Sequence, residues 1–238
     1  MFSQYSLILV ILTIAAFAAV SAGKLTAGGG MAGWIIGLLV FMGTGYAGVA
    51  MMATFFILAT VATSVGFAVK QRMGLAETGK GKRTAGQVIA NAGVAGILGL
   101  LMVLFPRETA VLQLMVAASL ASATADTLSS ELGNVFGRKF YNILTLKKDK
   151  RGLDGVVSVE GTLLGVIGSG VIAVVYVTVH EWNESFFLIV LAGTIGNLAD
   201  SVLGATLERK KYLDNNEVNF LNTFIAAITS LVLYYITF

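Results

Sequence analysis

The sequence predicts an all-α polytopic membrane protein, a single transmembrane domain over 1–238 with about eight transmembrane helices. Three observations predict it. Hydrophobic residues make up 56% of the chain and charged residues only 12%, and the mean hydropathy is +0.84. Soluble domains carry about twice this charged fraction. There is a single proline, Pro106, so helices are permitted almost throughout. The third observation is the uneven distribution of lysine and arginine.

Eight apolar runs have the length needed to cross a bilayer, about 17–25 residues. They lie near 5–22, 27–43, 46–69, 86–105, 109–136, 156–179, 185–208 and 217–237. The second run is short, and the Gly43-Thr44-Gly45 break that follows it fits either a chain reversal or a kink. A kink would reduce the number of helices to seven.

All but one of the 16 lysine and arginine residues fall in alternate loops of the eight-helix scheme, and the exception is Arg107. The positive-inside rule therefore predicts that those loops, including 70–85, 138–155 and 209–216, are cytoplasmic, and that both termini lie outside. We expect the inner or plasma membrane of a prokaryote, with the active face in the cytoplasm. The chain has no cysteine and one histidine, which excludes disulfides, thiolate catalysis and multi-histidine metal centres.

Two aspartates lie inside predicted spans, where a charge costs at least ~2.5–3.5 kcal/mol at mid-helix. Asp126 shares a helical stripe with serines, and Asp200 shares a face with Asn197 and Ser201. Ala123–Thr127 and Asn197–Ser201 are similar and lie on predicted helices of the same direction, which fits either a weak internal repeat or a coincidence among small residues. Carboxylate, hydroxyl and amide oxygens suit Mg²⁺. The alternative is that each aspartate only hydrogen-bonds a neighbouring helix.

Glu131 follows Asp126 by five residues and so points about 140° further around an ideal helix. It reaches the same site only if the helix is distorted, or else it serves the membrane surface. Both interpretations stay open.

Polar faces and basic loops surround these acids. Arg83, Gln87 and Asn91 recur every four residues, and similar stripes contain Ser158 on the sixth helix and Asn219 and Asn222 on the eighth. Basic, glycine-containing segments that open helices favour phosphate. Such segments contain Lys24, Lys147, Lys148, Arg151 and Asp154. Topology signals and contacts with membrane lipids are the alternative explanation for these lysines.

Several segments together resemble a known family. They are Ala123–Gly133, Gly152–Gly155 followed by Val157–Thr162 with Glu160, Asp200–Thr206, Gln87–Asn91 and Asn219–Thr223. Through them the chain resembles the integral membrane family called domain of unknown function 92, from about Lys24 to the end. That family includes a plant phytyl-phosphate kinase, and it is distantly similar to CTP-using polyprenol kinases and CDP-lipid synthases.

The resemblance implies a membrane-embedded kinase. It would transfer a phosphoryl group from a nucleoside triphosphate, expected to be CTP, to an isoprenoid monophosphate such as phytyl or geranylgeranyl phosphate. Asp126, Asp200 and Glu131 would be catalytic and would hold Mg²⁺ together with Glu208. The residues expected to bind phosphate, nucleotide or headgroup are Lys24, Arg83, Gln87, Asn91, Lys147, Lys148, Arg151, Asp154, Ser158, Glu160, Asn197, Ser201, Asn219 and Asn222.

This chemistry suits the residue set. A phosphate monoester has a second pKa near ~6, so its attacking oxygen is ionised at neutral pH without a general base. No Walker-type loop is present in the sequence, so a nucleotide would bind in another arrangement. We expect no nucleic-acid partner, and the oligomeric state stays open. The alternative function is a transporter or flippase for an anionic lipid or an ion, because intramembrane acids and glycine-broken helices also fit transport.

Overall fold

The computed structural model describes residues 2–76 and 78–238, so Glu77 of the predicted 70–85 loop lies outside the described residues. In this part of the chain seven helices are long and apolar enough to cross a membrane. The helices are α1 Phe2–Ser21, α2 Ala27–Ser64, α3 Phe67–Arg72, α4 Ala85–Leu104, α5 Thr109–Phe136, α6 Val159–His180, α7 Ser185–Leu203 and α8 Asn215–Thr237. The prediction of a helical, polytopic membrane protein is confirmed.

Helix α2 consists of two arms that fold back on each other. Its 38 residues would extend about 57 Å if straight, far more than the ~30 Å hydrocarbon core. The helix breaks at Gly45, which has φ 63° and ψ −149°, a conformation that glycine adopts at little cost. A Cβ atom on Gly37 would lie 3.0 Å from the Met52 side chain, which requires antiparallel arms. The chain therefore reverses at Gly45 and does not merely kink.

The structure corrects two predicted helix boundaries. The third predicted helix, 46–69, ends at Ser64, because Gly66 adopts φ 61° before the short helix α3 begins. The sixth helix begins at Val159 and not at 156, because the Ser158 hydroxyl caps its first turn. Residues Val156–Val157 instead form a two-residue strand, β2, antiparallel to β1 at Tyr141–Asn142. This strand pair was not predicted.

Helix α5 lies at the centre of the bundle and packs against α2, α4, α6, α7 and α8. Its neighbours approach closely at glycines: Gly165 lies against Ala125, and Gly193 lies against Ala121. Small residues permit such close packing of helices in membranes. Polar side chains in the middle of α5, such as Ser119, Ser122 and Thr124, are therefore surrounded by protein and not by lipid.

One end of the bundle, which we call the polar end, collects the starts of four helices. Their first turns are capped by Thr26, Thr84, Ser158 and Asp214. Helices α5 and α7 end there, and α7 continues as a π-helical turn, Gly204–Glu208. Such turns are frequent at functional sites.

Candidate functional site

Asp126 and Asp200 lie side by side at the polar end. The carboxyl group of Asp126 on α5 is within hydrogen-bonding range of the carboxyl group of Asp200 on α7. Two carboxylates this close repel each other unless a proton or a cation lies between them. The structure thus brings together the two intramembrane acids that the sequence singled out.

Asn222 fixes the position of this pair. Its side-chain amide donates a 2.7 Å hydrogen bond to Asp200 Oδ2, and its Oδ1 accepts a 3.0 Å hydrogen bond from the Ser122 hydroxyl of α5. Asn222 is fully buried. The α8 side chain therefore joins both acid-bearing helices.

A polar cavity of about 100 Å³ opens beside Asp126, and we call it the amide cavity. Its walls include Arg83, Gln87, Asn91 and Asn219, all of which the sequence predicted as binding residues. The Asn91 side chain donates to the Gln87 carbonyl, at 2.9 Å, and Gln87 Oε1 accepts from the Thr84 backbone N–H in a capping box. These bonds fix the polar face of α4.

A second cavity, of about 170 Å³, is lined by both acids of the pair. We call it the loop cavity because residues 152–157 form one wall. Its lining contains the predicted site residues Asp126, Asp154, Ser158, Asn197, Asp200, Ser201 and Glu208. Asp154 and Glu208 are close enough to Asp200 to affect its ionisation electrostatically. The cavity is therefore strongly acidic.

Arg209, which the sequence analysis did not select, holds the loop that forms this wall. Its Nε donates to the Asp154 carbonyl at 2.6 Å, and its Nη2 donates to Asp149 Oδ2 at 2.9 Å. The backbone N–H of Lys150 and then Arg209 lower the pKa of Asp149. In the sequence Arg209 is one of three consecutive basic residues in a predicted loop, and no local signal distinguishes it from Lys210.

Gly155 lets the loop lie directly on the π-helical turn. Its φ is +69°, and a Cβ atom there would overlap Ala205. Gly204 lies equally close to the loop backbone, since a Cβ atom would come 2.9 Å from the Gly155 nitrogen. Both glycines are needed for this contact, which brings Asp154 next to Glu208.

Glu131 forms a buried ion pair with Lys70 of α3. Lys70 also donates to the Thr63 and Ala62 carbonyls, at 2.9 and 3.2 Å, and so caps the second arm of α2. Glu131 lines the amide cavity as well. The sequence predicts Lys70 to be a cytoplasmic loop residue, but in the structure it lies on α3 and is 1% exposed. The catalytic and metal-binding roles of Glu131 stay predictions.

Four predicted binding residues lie away from the acid pair. Lys147 and Lys148 are exposed on the strand-pair loop. The Arg151 guanidinium donates to the Gly137 carbonyl at 2.8 Å and so caps α5. Glu160 accepts from the Arg138 backbone N–H at 3.4 Å. Their roles in binding stay untested expectations.

Lys24 lines a separate cavity of about 250 Å³ with Thr60, Thr63 and Ser64. Its carbonyl accepts a 3.0 Å hydrogen bond from the Arg83 backbone N–H. Lys24 thus lies next to the segment that carries Arg83, but its side chain faces another space.

Within the described residues, no three histidine, cysteine, aspartate or glutamate side chains are arranged to hold a metal ion. The acid pair thus provides two carboxylates, with the Asn222 amide and nearby hydroxyl groups as further polar atoms. Mg²⁺ is commonly bound by one or two carboxylates plus substrate phosphates and water. The donor set therefore fits Mg²⁺ better than it fits a metal held by protein ligands alone.

An apolar groove of about 340 Å³ lies between α1, the two arms of α2 and α4. Its walls are aliphatic and aromatic, with Trp34, Met52 and Phe55 among them. At the polar end, Arg83, Gln87 and Asn91 line both this groove and the amide cavity. The Arg83 guanidinium also lies 5.5 Å from the centre of the Phe55 ring. Apolar and polar spaces thus meet at one face of α4.

A family model for an integral membrane protein, DUF92, matches residues 10–227. The chain belongs to the DUF92 family. The resemblance drawn from the sequence motifs is therefore confirmed. The matched residues include Asp126, Asp200 and Asn222, and the whole of both polar cavities.

Proteins of Arabidopsis thaliana, Synechocystis and Methanocaldococcus jannaschii are similar to the chain. The chain is 32% identical to Protein VTE6, chloroplastic, of Arabidopsis thaliana, over 88% of this chain and 65% of that protein. It is 32% identical to the uncharacterized membrane protein sll0875 of Synechocystis, over 82% of this chain and 76% of that one. Identity is also 32% with the uncharacterized membrane protein MJ0933 of Methanocaldococcus jannaschii, over 84% and 82%. No solved structure matches the chain.

Proposed function

We propose that this protein is a membrane-embedded kinase that transfers a phosphoryl group from a nucleoside triphosphate to an isoprenoid monophosphate, giving the diphosphate. The observation that supports this is that the apolar groove, the amide cavity and the loop cavity adjoin one another and share lining residues. Arg83, Gln87 and Asn91 line both the apolar groove and the amide cavity, while Asp126 lines both the amide and the loop cavities. A lipid tail, its phosphate and a nucleotide phosphate can therefore lie in sequence.

The acceptor phosphate would occupy the amide cavity. Arg83 is 7% exposed there and carries a charge that acts on Asp126. Asn91 and Asn219 offer amide groups from α4 and α8. Cationic and amide donors held rigidly in a site of low dielectric stabilise transferring phosphoryl groups. In the reaction, an acceptor phosphate oxygen attacks the terminal phosphorus of the triphosphate, and the bond from that phosphorus to the bridging oxygen breaks.

The triphosphate would occupy the loop cavity, where backbone N–H groups of the glycine-containing loop and the start of α6 favour phosphate. CTP is the nucleotide we expect from the family resemblance. The acidic lining of Asp154, Asp200 and Glu208 repels a bare triphosphate, so a bound cation is required there. Mg²⁺ held by Asp126 and Asp200 would neutralise phosphate charge. Asn222 orients Asp200 for this role, and Ser122 orients Asn222.

Transport is the second candidate, and the interior of the bundle counts against it. Alternating access needs a polar path to both sides of the membrane. The half of α5 away from the polar end is packed tightly, with Leu114, Val116 and Leu120 almost fully buried. The polar cavities described above all lie at one end, which suits an enzyme that works at one membrane surface. That surface is the cytoplasmic one in the topology expected from the basic loops.

The test is turnover by detergent-purified protein with Mg²⁺, labelled CTP or ATP, and a series of prenyl alcohols and prenyl monophosphates. We expect prenyl diphosphate from the monophosphates, and a loss of about 10²–10³-fold in turnover in Asp126→Asn and Asp200→Asn. Glu181→Gln is the control, because this exposed acid follows the far end of α6 and lines neither polar cavity. A protein that binds Mg²⁺ but never forms a diphosphate with any nucleotide would refute the kinase assignment.

A further inference from the structure

Two side chains narrow the apolar groove away from the polar end. Leu12 of α1 and Met52 of the second arm of α2 meet over Gly37, where a Cβ atom would lie 2.8 Å from one and 3.0 Å from the other. Both side chains line the groove. The groove therefore has a polar mouth at Arg83 and an apolar floor at Leu12 and Met52.

The length of the groove is limited by this floor. Along α1 its wall runs from Ala19 to Ile11, which is about 12 Å at ~1.5 Å per residue. A helix of another protein is about 10–12 Å across and does not fit a space of about 340 Å³. A single hydrocarbon chain does fit it.

The groove is also open sideways. Ile11 and Ile57 line it but are 39% and 59% exposed on the surface of the bundle. In a bilayer these positions face lipid tails, so a hydrocarbon chain can enter from the membrane without passing through water. An anionic headgroup on that chain then reaches Arg83 at the mouth.

Gly33 keeps the upper part of the groove open. It is in the wall, and the nearest side chain to an added Cβ atom is Val88, at 4.0 Å. A methyl group is accommodated at this distance, whereas a larger side chain extends into the groove. The absence of a side chain at Gly33 therefore leaves this part of the groove open.

We propose that this groove binds the hydrocarbon tail of the acceptor and sets the tail length that the enzyme accepts, an inference that rests on the proposed kinase function. Leu12 and Met52 form the floor, and the missing side chain of Gly33 leaves the passage to it open. Removing the floor side chain admits longer tails, and filling the passage restricts the enzyme to shorter ones.

The experiment measures kcat/KM for prenyl monophosphates of increasing length in the wild type and four variants. We expect Met52→Ala to raise the preference for the longest tails about 10-fold or more, and Gly33→Leu to lower it by a similar factor, since single methylene groups in an apolar pocket change selectivity by about 10–200-fold. Gly33→Ala, which fits the available space, and Met42→Ala, an exposed methionine outside the groove, should keep the wild-type profile.

A second measurement does not depend on turnover. The chain has two tryptophans, so Trp182→Phe leaves Trp34 in the groove as the sole tryptophan fluorophore. Titration with each prenyl monophosphate should change Trp34 emission, with the same length dependence in the Met52 and Gly33 variants. If the wild type gives no diphosphate but this length dependence holds, the kinase function is refuted and the groove assignment survives. Identical length profiles in all variants, by turnover and by fluorescence, would overturn the groove assignment.

Discussion

The Asn222 side chain on α8 donates a 2.7 Å hydrogen bond to Asp200 on α7 and accepts one from Ser122 on α5. Asn222 therefore links three helices at the level of the acid pair. Because the residue is fully buried, these bonds do not compete with bulk water, and their loss leaves polar partners unsatisfied.

We expect Asn222→Ala to destabilise the protein by about 1–3 kcal/mol, the cost of leaving a buried partner unpaired. Turnover should fall more than stability explains, because Asp200 loses its orientation. Thermal unfolding in detergent and diphosphate formation measure the two effects. Ser230→Ala is the control, since that buried hydroxyl bonds only to Ala227 of its own helix. Equal effects of both substitutions on turnover would contradict the positioning role.

The buried ion pair between Lys70 and Glu131 gives a second prediction. Lys70→Met should destabilise the protein by about 3–5 kcal/mol, because an unpaired charge is left buried. The double variant Lys70→Met/Glu131→Gln should recover most of this loss. Arg72→Met, an exposed neighbour, should change the free energy of unfolding by no more than about 0.5 kcal/mol.

The same double variant decides the role of Glu131. If Glu131 only stabilises the end of α2 through its ion pair with Lys70, the double variant should retain Mg²⁺-dependent turnover within about 10-fold of the wild type. A stable double variant without turnover would place Glu131 in the reaction, as the sequence analysis suggested.

Arg209 should hold the loop that carries Asp154 in place. We expect Arg209→Ala to raise the KM for the nucleotide and to speed tryptic cleavage after the exposed Lys147 and Lys148, with little change in the unfolding temperature. Lys210→Ala is the matched control. If the Arg209 variant is cleaved no faster than this control, the loop is held by other contacts.

The contact between Arg209 and Asp149 also has a defined pH dependence. The pKa of Asp149 is lowered in the folded protein, so its contribution to stability is present above the ordinary carboxyl value of about 4. It is lost as the pH falls through the lowered pKa. Protection of the loop from trypsin should therefore be constant between about pH 6 and 8, and a decrease across that range would exclude Asp149 as the partner.

Two glycines with the same backbone strain allow a matched comparison. Gly155 and Gly23 both have φ +69°, so alanine costs about 1–2 kcal/mol of backbone energy at either position. Only at Gly155 does the added Cβ atom overlap another residue, Ala205, whereas nothing lies within 4 Å of Gly23. Unfolding temperatures should therefore fall further for Gly155→Ala, and turnover should fall with them. Equal losses of stability would mean that the loop does not rest on the π-helical turn.

The sequence alone identifies site residues whose charge is unfavourable in the surroundings predicted for them. Asp126 and Asp200 stand out because carboxylates are costly inside a membrane, and the polar stripes around them follow from helical spacing. Span positions were predictable because bilayer thickness fixes helix length. The sequence does not distinguish a reversal from a kink at Gly45, because a glycine pair permits both.

Other features depend on contacts between distant segments. Arg209 and Lys70 have the same local signature as lysines that face only water or headgroups, so their hydrogen bonds could not be read from the sequence. The strand pair is two residues long on each side, too short for an alternating pattern. The apolar groove arises from four separate helical segments, none of which looks unusual alone.

The reversal at Gly45 also determines whether the number of membrane crossings is odd or even. With it, the bundle has an even number of crossings, and Phe2 and Thr237 lie at the end opposite the polar end. A reporter fused near either end of the described chain is therefore remote from the acid pair and leaves the groove mouth unobstructed. Accessibility of such a reporter in sealed vesicles would reveal which compartment the polar end faces, without any substitution in the site itself.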